Sequence, residues 1–397
     1  MSFTDSFLKV LAILVPIIIM IFAYLNYRKK PVSCTIIIQT MDPNKLADEA
    51  TLKKISDCIT KNAPEFTGTI EKDSKFVITE DKLKLLNAVG EKVEQYSKAS
   101  GKTVKDARIL RALGIEAYYL GRRDDAFKYF SEALGLDEEL KDIRGKAEDL
   151  NNIGVVYQDW GVTEKAIEHY EKALDTAKEL KAMKIEAAVF NNIGSIYKNW
   201  GKFEESLKYF KSALEIDDKL QDTRGRAIQI NNIGMVYLDW GKLKESLDYF
   251  QSSLKLCEEL KDARGEAIAL NNIGMVYQDL DLPKEALKYY QKALRVAEEL
   301  KDIKVKAASL NNIGSLYQKW VKPEQALEYF HKALKIDEEV QDLRGEAFDN
   351  NNIGSVYEQL NKPKEALDYF QKSLNLFEKL KDTKSADVVR EHIGNLT

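Results

Sequence analysis

Residues that carry most enzyme chemistry are scarce in this chain of 397 residues. It has three histidines and three cysteines, and residues 1–100 contain no histidine. No Cys-x-x-Cys pair, phosphate-binding glycine loop or nucleophile elbow is present. The few histidines and cysteines do not cluster as zinc ligands do. We therefore expect no enzyme activity, no catalytic residue, no metal site, no cofactor and no small-molecule substrate.

The chain also lacks an excess of charge of one sign. Charged residues make up 31% of the sequence, yet the formal net charge is only −4. Interspersed acids and bases suit long solvated helices, and they offer no basic surface for nucleic acid. We therefore expect no nucleic-acid partner.

Long apolar runs are absent, with one exception near the start. From Phe7 to Tyr27 the sequence is apolar except for Lys9 and Asn26, close to the ~20 residues that a helix needs to span a bilayer. A cleaved signal peptide is the alternative interpretation. A signal peptide carries its positive charge before the apolar run, whereas here most of the basic residues follow the run, and no small-x-small cleavage site comes after it. We interpret residues 1–30 as a single transmembrane anchor.

The basic residues around this run predict its orientation. Three bases, at positions 28–30, follow the run, whereas only Lys9 precedes it. Positive residues favour the cytoplasmic side, which places the remainder of the chain in the cytoplasm. Thiols stay reduced there, so Cys34 and Cys58 could form a bridge only if the chain faced an oxidising compartment.

Residues 31–100 show no internal repeat. The pattern predicts an apolar strand over Cys34–Gln39, a helix over Lys45–Lys61, a small hairpin over Thr67–Ile78 and a helix over Asp81–Ser97. Two interpretations stay open: a small membrane-proximal domain, or a spacer whose last helix caps residues 101–397.

Residues 101–397 are dominated by one repeated pattern. The tetrapeptide Asn-Asn-Ile-Gly recurs every 40 residues. A fixed period of this size is typical of a helical solenoid, an architecture that exposes long binding surfaces. The six copies of the tetrapeptide begin at Asn151, Asn191, Asn231, Asn271, Asn311 and Asn351.

Within one copy the residues predict a helix, a turn at Gly161 and a second helix. Gly154 removes a side chain where the two helices should cross, and Ala166 is small enough to pack there. An aspartate is expected to cap each following first helix, except where Ala182 replaces it. The cap aspartates are Asp142, Asp222, Asp262, Asp302 and Asp342.

These residues resemble the tetratricopeptide repeat, whose signature is an aliphatic-Gly pair, a tyrosine three residues later, and Ala, an aromatic and Ala on the second helix. Seven copies match between Ala107 and Ser385, although Ala117 replaces the tyrosine of the first, and a partial capping helix comes after them. The 40-residue length is similar to the long variety of Pins-type adaptors and kinesin light chains. The resemblance implies an all-α, right-handed superhelix of antiparallel helix pairs, whose first helices line a concave groove that binds peptides or partner segments.

The asparagine pairs are the leading candidates for binding. Asparagine costs up to ~0.7 kcal/mol relative to alanine inside a helix, yet two recur in the middle of six first helices. An amide both donates and accepts, so it can pair with the main chain of an extended peptide. The alternative is that one asparagine of each pair bonds the neighbouring copy. The candidate groove residues are Asn151, Asn152, Asn191, Asn192, Asn231, Asn232, Asn271, Asn272, Asn311 and Asn312, with the apolar Ile228, Met235, Leu238, Ile268 and Met275.

The apolar residues lie in the middle copies, where an exposed patch with methionines is typical of a partner site. Alternatively, a tight superhelix buries this patch against itself. Three acidic residues are expected along one edge of the groove: Asp159, Asp239 and Asp279. A ladder of bases is expected to pair structurally with the cap aspartates or with glutamates of the preceding helix. Its members are Arg144, Lys184, Arg224, Arg264, Lys304, Arg344 and Lys384.

Together these observations predict a membrane-anchored scaffold or adaptor that binds a protein or peptide segment in its groove. Two alternatives remain. The solenoid could assemble with copies of itself, or it could be a rigid spacer for a complex bound through residues 31–100.

Overall fold

Helices of similar length make up the part of the chain that the computed structural model describes, residues 38–39, 41–63, 68–70, 80–100, 104–340, 342–380 and 382–396. Those residues form one 3-10 helix, Pro43–Ala47, and 17 α-helices, with no strand among them. None of the helices in these ranges is long and apolar enough to cross a membrane. The anchor predicted over residues 7–27 lies outside the described residues.

The contacts divide the chain into two units. One comprises residues 1–58 and 80–104, and the other comprises residues 59–79 and 105–397. We predicted boundaries after residues 30 and 100, whereas the contacts group residues 59–79 with residues 105–397. The helix α2 (Glu80–Ser100) belongs to the first unit, and α1 (Glu49–Asn62) begins in the first unit and ends at residues assigned to the second. Both helices were predicted, but the strand was wrong at Ile38 and Gln39, which are helical.

In the second unit, each first helix packs against the second helix of its own copy and against that of the copy before. This arrangement confirms the predicted all-α array of helix pairs. The first helices are α3 (Ala107–Tyr119), α5 (Ile143–Asp159), α7 (Met183–Asn199), α9 (Thr223–Asp239), α11 (Ala263–Asp279), α13 (Ile303–Lys319) and α15 (Leu343–Gln359). The second helices are α4 (Arg123–Leu140), α6 (Thr163–Glu179), α8 (Phe203–Leu220), α10 (Leu243–Leu260), α12 (Pro283–Leu300), α14 (Pro323–Val340) and α16 (Pro363–Lys379), and α17 (Thr383–Leu396) comes last.

The repeated glycine lets an aromatic ring pack against the backbone of each first helix. A Cβ atom added to Gly154 would lie 2.6 Å from the Tyr170 ring and 3.2 Å from the carbonyl oxygen of Ala166. The close approach predicted from the sequence is therefore confirmed. The ring, however, comes nearer than the alanine does. Where serine replaces the alanine, its hydroxyl bonds the glycine carbonyl, as Ser206 does to Gly194 at 2.8 Å.

The aspartate caps are also confirmed. Asp262, for example, accepts a hydrogen bond from the backbone N–H of Gly265 at 3.1 Å, which satisfies one of the free donors at the helix start. At the start of α7, Ala182 forms no side-chain cap. The missing cap is the one that the sequence predicted, and the weaker helix start expected from it stays a prediction.

The ladder of bases connects these caps between copies. Arg264 contacts the cap Asp302 of the next copy at 2.9 Å, and Arg344 contacts Asp382 at 3.2 Å. Arg144, whose next copy carries Ala182, bonds Glu148 of its own helix instead. Four bases of the ladder therefore pair with a cap aspartate of the next copy, as expected: Arg224, Arg264, Lys304 and Arg344.

Candidate functional site

The asparagine ladder, defined as the Asn-Asn pairs of α5, α7, α9, α11, α13 and α15, lies in the middle of the first helices. Its burial falls along the chain. Asn151, Asn152, Asn191 and Asn192 are fully buried. Asn232 and Asn271 are nearly so. The half-buried members are Asn231, Asn272, Asn311, Asn312, Asn351 and Asn352. The later copies therefore leave more of the ladder open to solvent.

Hydrogen bonds join the ladder from copy to copy. The second asparagine of one copy donates from Nδ2 to Oδ1 of the first asparagine in the copy before. This bond measures 2.9 Å from Asn192 to Asn151 and 2.7 Å from Asn232 to Asn191. It recurs from Asn272 to Asn231 at 2.7 Å. Internal bonding, the alternative to ligand binding that the sequence left open, is thus present.

The ladder changes partners towards its C-terminal end. Asn271 donates to the hydroxyl of Ser309 at 2.9 Å, and Asn311 donates to the carboxyl of Asp349. The Oδ1 atom of Asn271 is buried and has no hydrogen-bond partner within the described part of the chain. It is a vacant acceptor beside the open part of the ladder, where an N–H group could bind.

At its N-terminal end the ladder binds a short segment of the same unit, Gly68–Ile70. Asn152 accepts from the Ile70 N–H at 2.6 Å and donates to the Gly68 carbonyl at 3.0 Å. The Ile70 carbonyl accepts from Nδ2 of Asn151 at 2.9 Å and from Nδ2 of Asn192 at 3.0 Å. Three amide side chains therefore bind three main-chain groups.

The bonded groups have the alternation of an extended chain. The Gly68 carbonyl and both polar groups of Ile70 face the asparagines. In a strand these groups point to one side, and those of the residue between them point to the other. None of these four bonds involves the side chains of Gly68, Thr69 or Ile70. Within this chain the three asparagines therefore bond main-chain groups, and binding of a separate segment stays a prediction.

Apolar candidates gather in the middle copies. Ile228, Met235, Ile268 and Met275 are half-buried, whereas Leu238 is buried. The two methionines pack against the apolar core that includes Leu238. This contact agrees in part with the alternative that the patch is packed internally, and it leaves the four half-buried side chains as the accessible ones.

One surface pocket brings several of the candidates together. It lies between α9, α10 and α11 and includes Arg224 and Arg264 beside the apolar and amide groups. Its predicted groove residues are Ile228, Asn231, Asn232 and Ile268. Amide, apolar and basic groups thus lie within reach of one bound segment.

The acidic edge is paired with bases. Asp159 accepts from Arg123 at 2.7 Å. Asp239 lies 3.7 Å from Lys198, and Asp279 lies 3.6 Å from Lys319. The Asp279–Lys319 pair is solvent-exposed and contributes little to stability.

Two buried carboxylate clusters were not predicted. In the first, Arg111 contacts Asp137 at 2.6 Å, Asp149 at 2.7 Å and Glu148 at 3.1 Å. The sequence signal was a charged residue in a column that is uncharged in the next four copies, which hold Val189, Gln229, Ala269 and Ser309 at the place of Asp149. A single buried arginine holds the three acids together, so this junction depends on it.

The second cluster has no arginine. It joins Asp337 and Asp349, and Asn311 stands where the first cluster has Arg111. Burial raises the pKa of Asp337 to about 7, with the charge of Asp342 adding to it. Burial also raises the pKa of Asp349 to about 8; the amide of Asn311 opposes this rise and Asp337 adds to it. The pair therefore retains a proton near neutral pH.

Family comparison agrees with the repeat pattern. Six overlapping matches to a profile described as tetratricopeptide repeat cover residues 105–179, 147–219, 185–259, 225–299, 265–339 and 305–379. The chain belongs to the tetratricopeptide repeat family. The comparison with curated proteins found no match. The narrower likeness to Pins-type adaptors and kinesin light chains stays an expectation.

Solved structures share the fold at low identity. The Rap conjugation gene regulator of plasmid pLS20, in complex with the Phr* peptide, is 18% identical, with a TM-score of 0.53, and the match covers 87% of this chain and 96% of that one. A Rap protein complexed with competence and sporulation factor is 16% identical, with a TM-score of 0.51 and coverages of 89% and 96%. A signal transduction ATPase with a tetratricopeptide repeat sensor from Pyrococcus horikoshii is 16% identical, with a TM-score of 0.50 and coverages of 86% and 50%.

Proposed function

We propose that this protein is an interaction scaffold whose asparagine ladder binds an extended protein segment through its main chain. The observation that carries this proposal is the pair of hydrogen bonds that the Asn152 side chain makes, one from the Ile70 N–H and one to the Gly68 carbonyl. Two fold neighbours, a Rap regulator in complex with the Phr* peptide and a Rap protein in complex with competence and sporulation factor, agree with such a role. A binding role also fits the lack of catalytic motifs in the sequence.

Selectivity for one partner would come from the middle copies. Main-chain bonding accepts any sequence, whereas Ile228, Met235, Ile268 and Met275 offer apolar contacts that only some side chains match. Arg264 borders the same pocket. We infer a partner segment with apolar side chains placed to meet these residues, and with its main chain against the ladder.

The scaffold is proposed to be tethered to a membrane by residues 7–27, with the repeats in the cytoplasm. The support is the length of the apolar run and the three bases after it. A tether would concentrate the partner at the membrane surface without new contacts. Protease protection tests the orientation: repeats that are cleaved by a protease added outside intact cells would overturn it. Cys58 is disulfide-bonded in the structure, which argues against the cytoplasmic placement, because thiols stay reduced in the cytoplasm.

The groove is tested with the full chain, purified from solubilised membranes together with its bound proteins. Met235→Glu with Met275→Glu adds two charges to the apolar patch. The matched control, Gln251→Glu with Gln291→Glu, adds two charges at exposed positions of α10 and α12 in the same copies. We expect a partner, identified by mass spectrometry, that is lost with the methionine variant and kept with the control.

The two alternatives give different outcomes. A set of bound proteins unchanged in the methionine variant would remove the groove as the binding site, and would favour a spacer bound through residues 31–100. Light scattering across a concentration series tests self-assembly, since only a self-assembling solenoid grows in mass as its concentration rises.

A further inference from the structure

The N-terminal part of the ladder is occupied by the chain itself. Gly68–Ile70 uses the side chains of Asn151, Asn152 and Asn192, which are three of the amides assigned to partner binding. The Ile70 side chain is buried, with 1% of its surface exposed. An external segment cannot make the same bonds while Gly68–Ile70 is in place.

The three positions of the segment differ in what they require. A Cβ atom added to Gly68 would meet open space, so glycine is not needed there. Thr69 is half-buried, and its main chain lies between the bonded groups. Ile70 supplies both a donor and an acceptor, and its side chain is fully enclosed. The site thus recognises an extended tripeptide whose third residue is apolar.

The Asn152 side chain is placed to hydrogen-bond a bound segment rather than the neighbouring copy of the solenoid. The second asparagine of a copy bonds back to the first asparagine of the copy before, but the copy before Asn152 carries Arg111 at that place. Arg111 bonds Asp137 and Asp149 instead. The amide of Asn152 donates to Gly68, and its oxygen accepts from Ile70 and, at 3.4 Å, from Asn151.

We propose that Gly68–Ile70 is a resident ligand of the groove, and that an external partner binds the N-terminal copies only by displacing it. This inference rests on the proposed function, because it assigns the regulation of the same site. The asparagines that hold the segment are the ones that would hold its competitor. The competitor is an extended protein segment with an aliphatic side chain in the position of Ile70.

The size of the effect follows from competition within one molecule. A segment that belongs to the same chain as its site can have an effective concentration on the order of millimolar. If its own dissociation constant were roughly 0.1 mM, the groove would be open about a tenth of the time. An external peptide would then bind about tenfold more weakly than to a groove without the resident segment.

The test measures binding of a fluorescent synthetic peptide that copies residues 66–72 to the detergent-solubilised full chain. Ile70→Asp places a charge in the enclosed position and should release the resident segment. Thr69→Asp is the matched control, since it adds the same charge one residue away and retains Ile70. Asn152→Leu, combined with Ile70→Asp, removes the amide while keeping the side-chain size.

We expect Ile70→Asp to bind the peptide at least tenfold more tightly than the natural chain, and Thr69→Asp to resemble the natural chain. The double variant Asn152→Leu, Ile70→Asp should bind the peptide at least tenfold more weakly than Ile70→Asp alone. Equal, tight binding by the natural chain and by Ile70→Asp would overturn the resident ligand while leaving the proposed function intact. If no form binds the peptide, main-chain recognition at this site is itself overturned.

A second measurement avoids dependence on the folding of Ile70→Asp. Hydrogen exchange of the natural chain should show a protected amide at Ile70, because it donates to Asn152. In the single variant Asn152→Leu that protection should fall at least tenfold, while amides in α12 and α14 stay unchanged. An Ile70 amide that exchanges freely in the natural chain would contradict the resident position.

Discussion

The buried pair Asp337 and Asp349 makes the last full copies sensitive to pH in a direction opposite to most carboxylates. Its pKa values are raised to about 7 and about 8, whereas an aspartate in an unfolded chain titrates near 3.9. The folded pair therefore holds a proton that the unfolded chain releases above about pH 4. Rising pH favours the unfolded state until the folded pair has also lost its proton.

The magnitude follows from the size of the shift. One pKa unit corresponds to about 1.4 kcal/mol. The two carboxyls share one retained proton, so between pH 5 and a folded pKa near 7 the free energy that holds α14 on α15 should fall by roughly 3 kcal/mol. Asp349→Asn reduces this loss, because an amide cannot ionise and can still accept from Asn311, whereas the burial that raises the pKa of Asp337 remains.

Native-state hydrogen exchange is the suitable assay, because repeat arrays open locally rather than as one two-state unit. Amides of α14 and α15 are compared between the natural chain and Asp349→Asn at pH 5 and at pH 8.5. We expect near-equal protection at pH 5, and an advantage for the variant of at most roughly 3 kcal/mol at pH 8.5. The junction of α6 and α7 has Ala177 and Val189 at the positions equivalent to Asp337 and Asp349. Amide protection at this junction should be the same in both forms at both pH values. Equal protection of both forms at pH 8.5 would refute the assignment of a shared proton.

Two further predictions concern helix ends. Ala182→Asp restores the missing cap of α7 and offers Arg144 a partner, so we expect about 1 kcal/mol of added local stability, measured as increased amide protection in α7. Val321 adopts a positive φ of 56° in the turn after α13, a conformation that a β-branched residue rarely takes. Val321→Gly should raise the melting temperature, and Asn361→Gly, at the same place in the next copy, should raise it less because asparagine tolerates this conformation. An equal effect at both positions would argue against strain at Val321.

The sequence predicted contacts that repeat with the period, and it missed those that occur once. Caps such as Asp262 and the glycine that admits the ring of Tyr170 recur every 40 residues, so their roles could be inferred from their spacing. The ion cluster around Arg111 occurs once. The sequence does not distinguish the acidic residues of this cluster from exposed ones, because their burial depends on how neighbouring helices pack.

The segment Gly68–Ile70 was the least predictable contact. We predicted a hairpin over residues 67–78, and the described residues 68–70 form no strand. Their main-chain groups bond asparagines that lie more than 80 residues away along the chain. A main-chain contact leaves no pattern in the side chains of the bound segment, so no periodicity or composition could reveal it.

Internal bonding and ligand binding by the ladder are not alternatives, although the sequence offered them as such. Nδ2 of Asn192 lies 2.9 Å from Oδ1 of Asn151 and 3.0 Å from the carbonyl oxygen of Ile70. An amide nitrogen carries two hydrogens, so one can hold the neighbouring copy while the other binds main chain. The internal bond fixes the rotamer of the side chain before a ligand arrives, which lowers the entropy lost on binding. An asparagine at this place therefore supports the solenoid and prepares its groove through the same group.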